Sequence, residues 1–447
     1  MLELIYAYLV ALGPYFVVAL LLGVAIPAVF ALAKPTDWLL AVAILSLSLV
    51  SIGDGGGGAE GSLLRQIGWG AVFLWALAMA LRSEGGGFNV DAGLVPMTYA
   101  LLVGFACVSV AWSDHGLVSA KRAVQLIGIL LIAAALVRNG IRGFALGAFA
   151  RPGLFMLLLG VMALAVPSVS FGTDGNYKGF TSTKNVWGQF ALLMAIVYLY
   201  FAVDSRRKKD WWLFGFASLS LLATFSAATV AIYLAVLSII VLWVGGRERP
   251  RLLAAAVIAV LMLCIALAFG YFVVEGRLPV DAVLEGGLAS VGKDTTLTGR
   301  TALWNMVTNE IARHPWFGTG YGGFWLGFEG PSFTIVNYFA WRPGQAHNGY
   351  LDVTNEVGFA GLALLILVLI QHATRTWHLF RAGEEQLAVF HFAILVAAVL
   401  LNVAESSFLR TTHLWWVIVS VSIFDVHARC RRREGTVRPA LVAGGQS

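Results

Sequence analysis

Charge is scarce in this chain. Asp, Glu, Lys and Arg make up 12% of its 447 residues, and hydrophobic residues make up 59%; a soluble domain carries roughly 25% charge. With a mean hydropathy of +0.82, that shortage excludes an ordinary water-soluble domain and implies an integral membrane protein. Cysteine is nearly absent, with three in all. Cys107 and Cys264 fall in apolar runs and Cys430 in a basic tail, which argues against a disulfide framework or a thiolate metal site. Also lacking are a Walker-type phosphate loop, an Asp-x-Asp pair and a Cys/His ligand set. Asp281, Glu285 and Asp294 are scattered, so divalent-metal catalysis and nucleotide binding are disfavoured, and no cofactor is expected. No rhythm of short alternating strands supports a barrel, which leaves helices as the spanning structure. The start, "MLELIYAYLV", lacks a basic leader and a cleavage site, so the first apolar stretch is expected to stay as an anchor. No internal repeat is evident, which weakens a repeat-built transporter.

What the chain does have is long apolar runs, many close to the roughly 20 residues that cross a bilayer. They fall near Asp37–Ile52, Ile67–Arg82, Leu94–Trp112, Ala123–Val137, Gly153–Pro167, Val186–Val203, Trp211–Phe225, Thr229–Gly245, Leu252–Val274, Val357–Trp377, Leu387–Glu405 and His413–Val426. Leu2–Ala33 is long for one span and short for two. The expectation is an all-α integral membrane protein of about 12 (12–14) helices. Its basic clusters, Arg206–Lys209, Arg247–Arg251, Arg375–Arg381 and Arg429–Gly435, place those ends and the C-terminus in the cytoplasm. This divides the chain into N-terminal spans (1–274), one large external loop (275–356), C-terminal spans (357–428) and a basic tail (429–447). Smaller external pieces are Gly53–Gln66, Ser113–Arg122, Ser168–Asn185 and Ser406–Thr412.

The large loop carries the chemistry. In "LTGRTALWNMVTNEIARHP", Thr298 or Thr301 can cap a helix. Leu303, Trp304, Val307 and Ile311 then form a stripe expected to lie on the membrane surface, with Trp304 at headgroup level. Arg300 at its start suits an anion, or simply anchors the helix. "GTGYGG", Gly318–Gly323, offers turns that a ligand can approach closely.

"RPGQAHNGYLDVTNEVG", Arg342–Gly358, puts a histidine, an asparagine and two carboxylates just outside an apolar span. His347 can accept a proton near neutral pH, or hold only a structural hydrogen bond. In a helix it would share a face with Tyr350 and Leu351, and Asn348 with Asp352 and Glu356; Asp352 is then an imperfect orienting partner. In "GFTSTKNVWGQF", Lys184 and Asn185 stand at the mouth of a span, where lysine meets a lipid phosphate or merely snorkels. Asp54, Glu60 and Arg65 sit in a glycine-rich stretch that reads as linker. Glu405, near a span end, is the residue that keeps a transporter reading open.

"GRTALW", "RHPWFGTGYGGF" and "HNGYLDVTNEVGFAG", in that order, resemble the signature region of the O-antigen ligase and polymerase superfamily of bacterial polytopic glycosyltransferases. "WSDHGLVSAKRAVQLIG" and "GFTSTKNVWGQF" resemble its weaker motifs. The resemblance implies a GT-C-type, metal-independent, inverting glycosyltransferase of the Gram-negative inner membrane, with its active site facing the periplasm. The donor would be an undecaprenyl-pyrophosphate-linked O-antigen and the acceptor lipid A–core oligosaccharide. Polymerase and protein O-oligosaccharyltransferase are alternatives, with a lipid or sugar transporter behind them; no nucleic acid is implied. Carried over by position, His347 matches the general base and Arg300 the pyrophosphate-binding arginine. Where such proteins often have a second arginine, "TFSAAT" has Ala227, which leaves Lys184, and behind it Arg342, as substitutes. Asn348, Tyr350, Asp352, Trp304 and Asn185 would support them.

Overall fold

The structure, a computed structural model, describes residues 37–49, 63–81, 92–139, 144–248 and 296–444. The expected spans Leu2–Ala33 and Leu252–Val274, most of Gly53–Gln66 with Asp54 and Glu60, and Asp281, Glu285 and Asp294 lie outside the described residues. The helices are α1 (Asp37–Leu49), α2 (Leu63–Leu81), α3 (Met97–Val108, prolonged to Trp112 by a 3₁₀ turn), α4 (Gly116–Asn139), α5 (Ala150–Met162), α6 (Lys184–Ser205), α7 (Lys208–Leu222), α8 (Ala227–Glu248), α9 (Thr296–Arg313), α10 (Phe333–Tyr338), α11 (Gly349–Arg381), α12 (Glu385–Ala404) and α13 (Leu414–Gly444). Among the described residues six stretches are long and apolar enough to cross a membrane: Gly116–Arg138, Ala145–Ala165, Lys184–Ser205, Ala227–Gly246, Gly349–Arg381 and Glu385–Ala404.

Among the described residues, the expected spans near Asp37–Ile52, Ile67–Arg82 and Leu94–Trp112 form only shorter apolar stretches, Trp38–Leu49, Arg65–Leu81 and Met97–Trp112, and two further expectations change. The run near Trp211–Phe225 forms only α7, 15 residues long, about 22 Å of helix, packed antiparallel against α6 after a left-handed turn at Arg206. The basic tail is not separate from the last helix, because α13 continues through Arg429–Arg433 to Gly444.

The helix ends sort into two groups. At one end Arg429 and Arg433 bind Glu384, just before α12, and Gln386 donates to the carbonyl of Tyr200 near the end of α6. At the other end Asn185, at the start of α6, meets Glu405, just past α12, and Ser226, just before α8, meets Asn185. The clusters Arg206–Lys209, Arg375–Arg381 and Arg429–Arg433 thus stand opposite the end that gathers Lys184, Asn185, His347 and Glu405.

Helices α11 and α12 share both ends. Gly349 N–H donates to the Glu405 carbonyl at 3.1 Å, and Glu384 N–H to the Leu379 carbonyl at 3.1 Å. Yet α11 has 33 residues and α12 has 20, about 50 Å against about 30 Å of helix. The excess is taken up at Gly358, whose φ of 66° and ψ of −175° break the helix. Residues 349–357 therefore form an arm running crosswise to the spanning part. The carbonyls of Asn355 and Glu356 and the N–H groups of Phe359 and Ala360, freed by the break, pair with Thr319, Gly320, Pro315 and Trp316. Backbone groups freed by a helix break and buried away from water need such partners.

Candidate functional site

The return loop Pro315–Gly323 corrects one expectation. Gly318, Gly320 and Gly322 have positive φ, and a Cβ added there would meet the Glu356 backbone at 2.5 Å, Ser113 at 2.4 Å and Arg122 at 2.3 Å. The glycines admit close approach by the protein's own helices, not by a ligand. Ser109 Oγ accepts from Tyr321 N–H at 2.8 Å, and the Glu356 carboxylate accepts from Gly322 N–H at 3.0 Å.

The stripe on α9 is corrected too. Helix α9 begins at Thr296, upstream of both proposed caps, and Leu303, Val307 and Ile311 are buried against Phe324, Trp325, Ile335, Phe339 and Ala346. The loop has an apolar core of its own, so the stripe does not need the bilayer. Trp304 packs on that core and its indole N–H donates to the Ala346 carbonyl at 2.9 Å. It fixes the residue before His347 and is not a headgroup anchor.

Asp352 performs a similar task from below. Its carboxylate accepts from Ala346 N–H at 3.1 and 3.2 Å, from Trp325 Nε1 at 2.7 Å and from Arg410 Nη2 at 2.9 Å. Asp352 therefore does not orient the His347 ring; it holds the chain that carries it. Nor is His347 helical. Asn348 is the N-cap of α11, its Oδ1 accepting from Tyr350 and Leu351 N–H, and His347 precedes it in the left-handed region at φ 51°. Such a conformation in a non-glycine residue persists only when its surroundings enforce it. Here Ala346 is clamped on both sides, and Asn348 N–H donates to Ser406 Oγ at 3.1 Å. Tyr350, expected on the histidine's face, is turned away and donates its hydroxyl to the Val399 carbonyl.

What faces the His347 ring is Glu405. Nδ1 lies 3.1 Å from Glu405 Oε2, and Oε1 of the same carboxylate accepts from Asn185 Nδ2 at 2.8 Å. Asn185 Oδ1 in turn accepts from Ser226, whose hydroxyl also contacts Thr229 at 2.9 Å. Burial pushes the Glu405 carboxyl up, but hydrogen bonding to His347, the charges of His347 and Arg300 and the Asn185 amide together hold it below the ordinary glutamate value. Glu405 is thus a carboxylate, the stronger partner for an N–H at Nδ1. With that N–H at Nδ1, the lone pair of a neutral His347 ring lies at Nε2. Trp341, 5.5 Å from the imidazole centroid to centroid, and Gln345, with its amide 3.3 Å from Nδ1, border the ring.

Arg300 lies beside this pair. Its Nη1 donates to the Ala404 carbonyl at 3.1 Å, which leaves the rest of a five-donor fork for an anion. Lys184, the first residue of α6, pairs with Asp174 at 2.8 Å, and that ammonium pulls the Asp174 carboxyl down to about 2. Arg342 stands apart, exposed at φ 49°, its guanidinium 5.2 Å from the Phe328 ring centroid. Ala227 is exposed at the start of α8, next to Ser226.

The arrangement brings together His347, Asn185 and Arg300 and leaves Arg342 outside. It adds Glu405, Ser226, Ser406 and Arg410, which sequence reading did not place in the site. The available signal was positional: Glu405, like His347, stands at the end of an apolar run, away from the basic clusters.

Comparison with known proteins agrees with the motifs. Residues 212–366 match the family model described as O-antigen ligase. The exopolysaccharide production protein ExoQ of Rhizobium meliloti (strain 1021) is 30% identical over 285 residues, 60% of this chain and 62% of that protein. The chain thus spans less than two thirds of that relative's length.

Proposed function

We propose, from the O-antigen ligase family domain that this chain carries at 212–366, that it is a multi-pass membrane glycosyltransferase joining a lipid-pyrophosphate-linked glycan to an acceptor hydroxyl. The observation behind this reading is the His347–Glu405 pair at 3.1 Å beside Arg300, at the bundle end opposite the basic clusters. Since short cytoplasmic loops carry the excess of Lys and Arg, that end faces the periplasm of a bacterial inner membrane, and the C-terminus the cytoplasm.

In the reaction, His347 Nε2 takes the proton of the acceptor hydroxyl as the oxygen attacks the anomeric carbon. Glu405, fixed by Asn185 and Ser226, holds the Nδ1 proton and stabilises the imidazolium, as an orienting carboxylate does for a histidine base. The sugar–phosphate bond breaks on the opposite face, so the configuration inverts, and the electron pair leaves on the carrier pyrophosphate. Arg300 stabilises that charge with two donors at once, and Lys184 assists from the mouth of α6. The pyrophosphate leaves already ionised, so the step requires neither a metal nor a cofactor.

The donor in this reading is an undecaprenyl-pyrophosphate-linked O-antigen and the acceptor lipid A–core oligosaccharide, as for a ligase. The relative named for exopolysaccharide production favours a second reading, polymerase, in which the acceptor is another carrier-linked glycan. The test mixes purified protein with carrier-linked glycan and rough lipopolysaccharide in a divalent-free buffer and follows products on a gel. A ladder on lipopolysaccharide, absent with His347→Ala, supports the ligase; lengthening of the glycan on its own carrier supports the polymerase. Transfer retained by His347→Ala removes the base assignment.

A further inference from the structure

At the Gly358 end of the crosswise arm a recess opens. The nine residues from Gly349 to Val357 cover about 13 Å, so this recess lies sideways from His347. It is a cavity of about 480 Å³ between the end of α3 and the return loop, lined among others by Trp112, Asp114, His314, Trp316, Phe317 and Thr319. The volume is in the range of small-molecule sites, roughly 300–1,000 Å³.

Its chemistry is mixed in a particular way. Trp316 and Phe317 are 69% and 58% exposed, although both belong to a loop pinned to α11 by four backbone hydrogen bonds. Trp112 donates Nε1–H to the Phe317 carbonyl at 3.2 Å, and the two rings meet at 5.8 Å and 64°, so the aromatic walls are held at a fixed angle. The Asp114 carboxylate and the His314 imidazole are exposed and make no hydrogen bond or ion pair with the described chain. Among the described residues the lining holds neither Lys nor Arg, and nearby Arg313 is paired with Glu310 at 2.6 Å.

These features select among ligands. An anionic or phosphate-bearing headgroup needs a cation and finds a carboxylate instead. A sugar ring has what the recess lacks: an apolar C–H face, electropositive at its hydrogens, that suits the negative face of an indole, and a rim of hydroxyls that donate to a carboxylate and exchange hydrogen bonds with imidazole.

We propose that this recess is a saccharide subsite, holding one ring of the glycan chain while the reacting end of that chain lies at His347. The inference rests on the glycan-transfer reading for its physiological ligand, and it adds a place where glycan length and composition are read by residues outside the chemistry.

The probe is the free oligosaccharide released by mild acid from the carrier-linked glycan, which has neither lipid nor pyrophosphate. Saturation-transfer NMR on protein in nanodiscs gives its Kd, and steady-state transfer gives KM and kcat for the intact donor. Trp316→Ala and Asp114→Asn, both at exposed positions, are each expected to weaken the Kd about five- to tenfold and to raise KM by a similar factor, with kcat within about twofold. Unchanged Kd and KM in both variants would overturn the subsite and leave Trp316 and Phe317 as anchors at the bilayer surface, whether or not transfer proceeds. If the wild type binds the oligosaccharide, the variants do not, and no acceptor is glycosylated, the subsite stands and the transfer reading falls.

Discussion

His347 and Glu405 are 58 positions apart in the chain and 3.1 Å apart in space. Two antiparallel helices, α11 and α12, carry the chain away from the histidine and back to it. Glu405 ends α12 in extended backbone, so its carboxylate sits at the mouth of the helix and not within it.

Glu405→Gln is therefore expected to lower kcat by about 10²-fold or more, since an amide neither fixes the Nδ1 proton nor stabilises the imidazolium. Donor KM should move little. A variant with wild-type kcat would make the contact structural only.

The same carboxylate gives a stability signature. Its acidity is greater in the folded protein than in a free glutamate, whose value is about 4.3. A depressed carboxylate contributes stability that is present above the unfolded value and lost as pH falls through the folded one. Thermal unfolding in detergent should show the wild type ahead of Glu405→Gln at neutral pH, with the gap closing only below the ordinary glutamate range. A gap that closes between pH 7 and 5 contradicts the assignment.

Arg300→Lys keeps the charge and removes the fork. Transfer is expected to fall about 10²-fold, while the protein inserts and unfolds as before. Wild-type activity in this variant would leave Arg300 as the tether of α9 to Ala404.

Gly358→Ala tests the kink. The added Cβ would lie 2.2 Å from the Trp316 carbonyl oxygen, in a φ region that costs a non-glycine residue about 1–3 kcal/mol. The expected result is release of the return loop, seen as new protease cleavage near Pro315–Gly320, together with loss of transfer.

Arg410→Ala removes the cation from Asp352, which is 3% exposed. Breaking a fully buried pair costs about 3–5 kcal/mol; Arg410 is 24% exposed and two N–H donors from Ala346 and Trp325 remain, so a loss of no more than about 3 kcal/mol is expected in denaturant unfolding.

Much of this was legible in the sequence. Apolar runs marked the helices, and the sorting of Arg and Lys against His347 and Asn185 marked the two ends of the bundle, because both are local compositional signals. The partners of those residues were not legible. Asp352 lies five residues from His347, yet it serves Ala346, while Glu405, which serves His347, first looked like the mark of a transporter. Helical spacing was the wrong rule there, since Asn348 starts the helix one residue too late to include the histidine. The stripe on α9 was read correctly as apolar and the glycines of the return loop as points of close approach, but for a membrane surface and a ligand. Their partners are other parts of the protein, and a one-dimensional pattern does not say what it packs against.

Asn185, from α6, and Glu405, from the end of α12, both lie outside the 212–366 segment that carries the family match. The recognisable part of this chain is thus not an interchangeable cassette. A chimera that imports only that segment from a relative would pair a foreign histidine with a resident carboxylate and amide. Swapping specificity between such proteins would need crossover points placed before Asn185 and after Arg410, so that His347 travels with the groups that aim it.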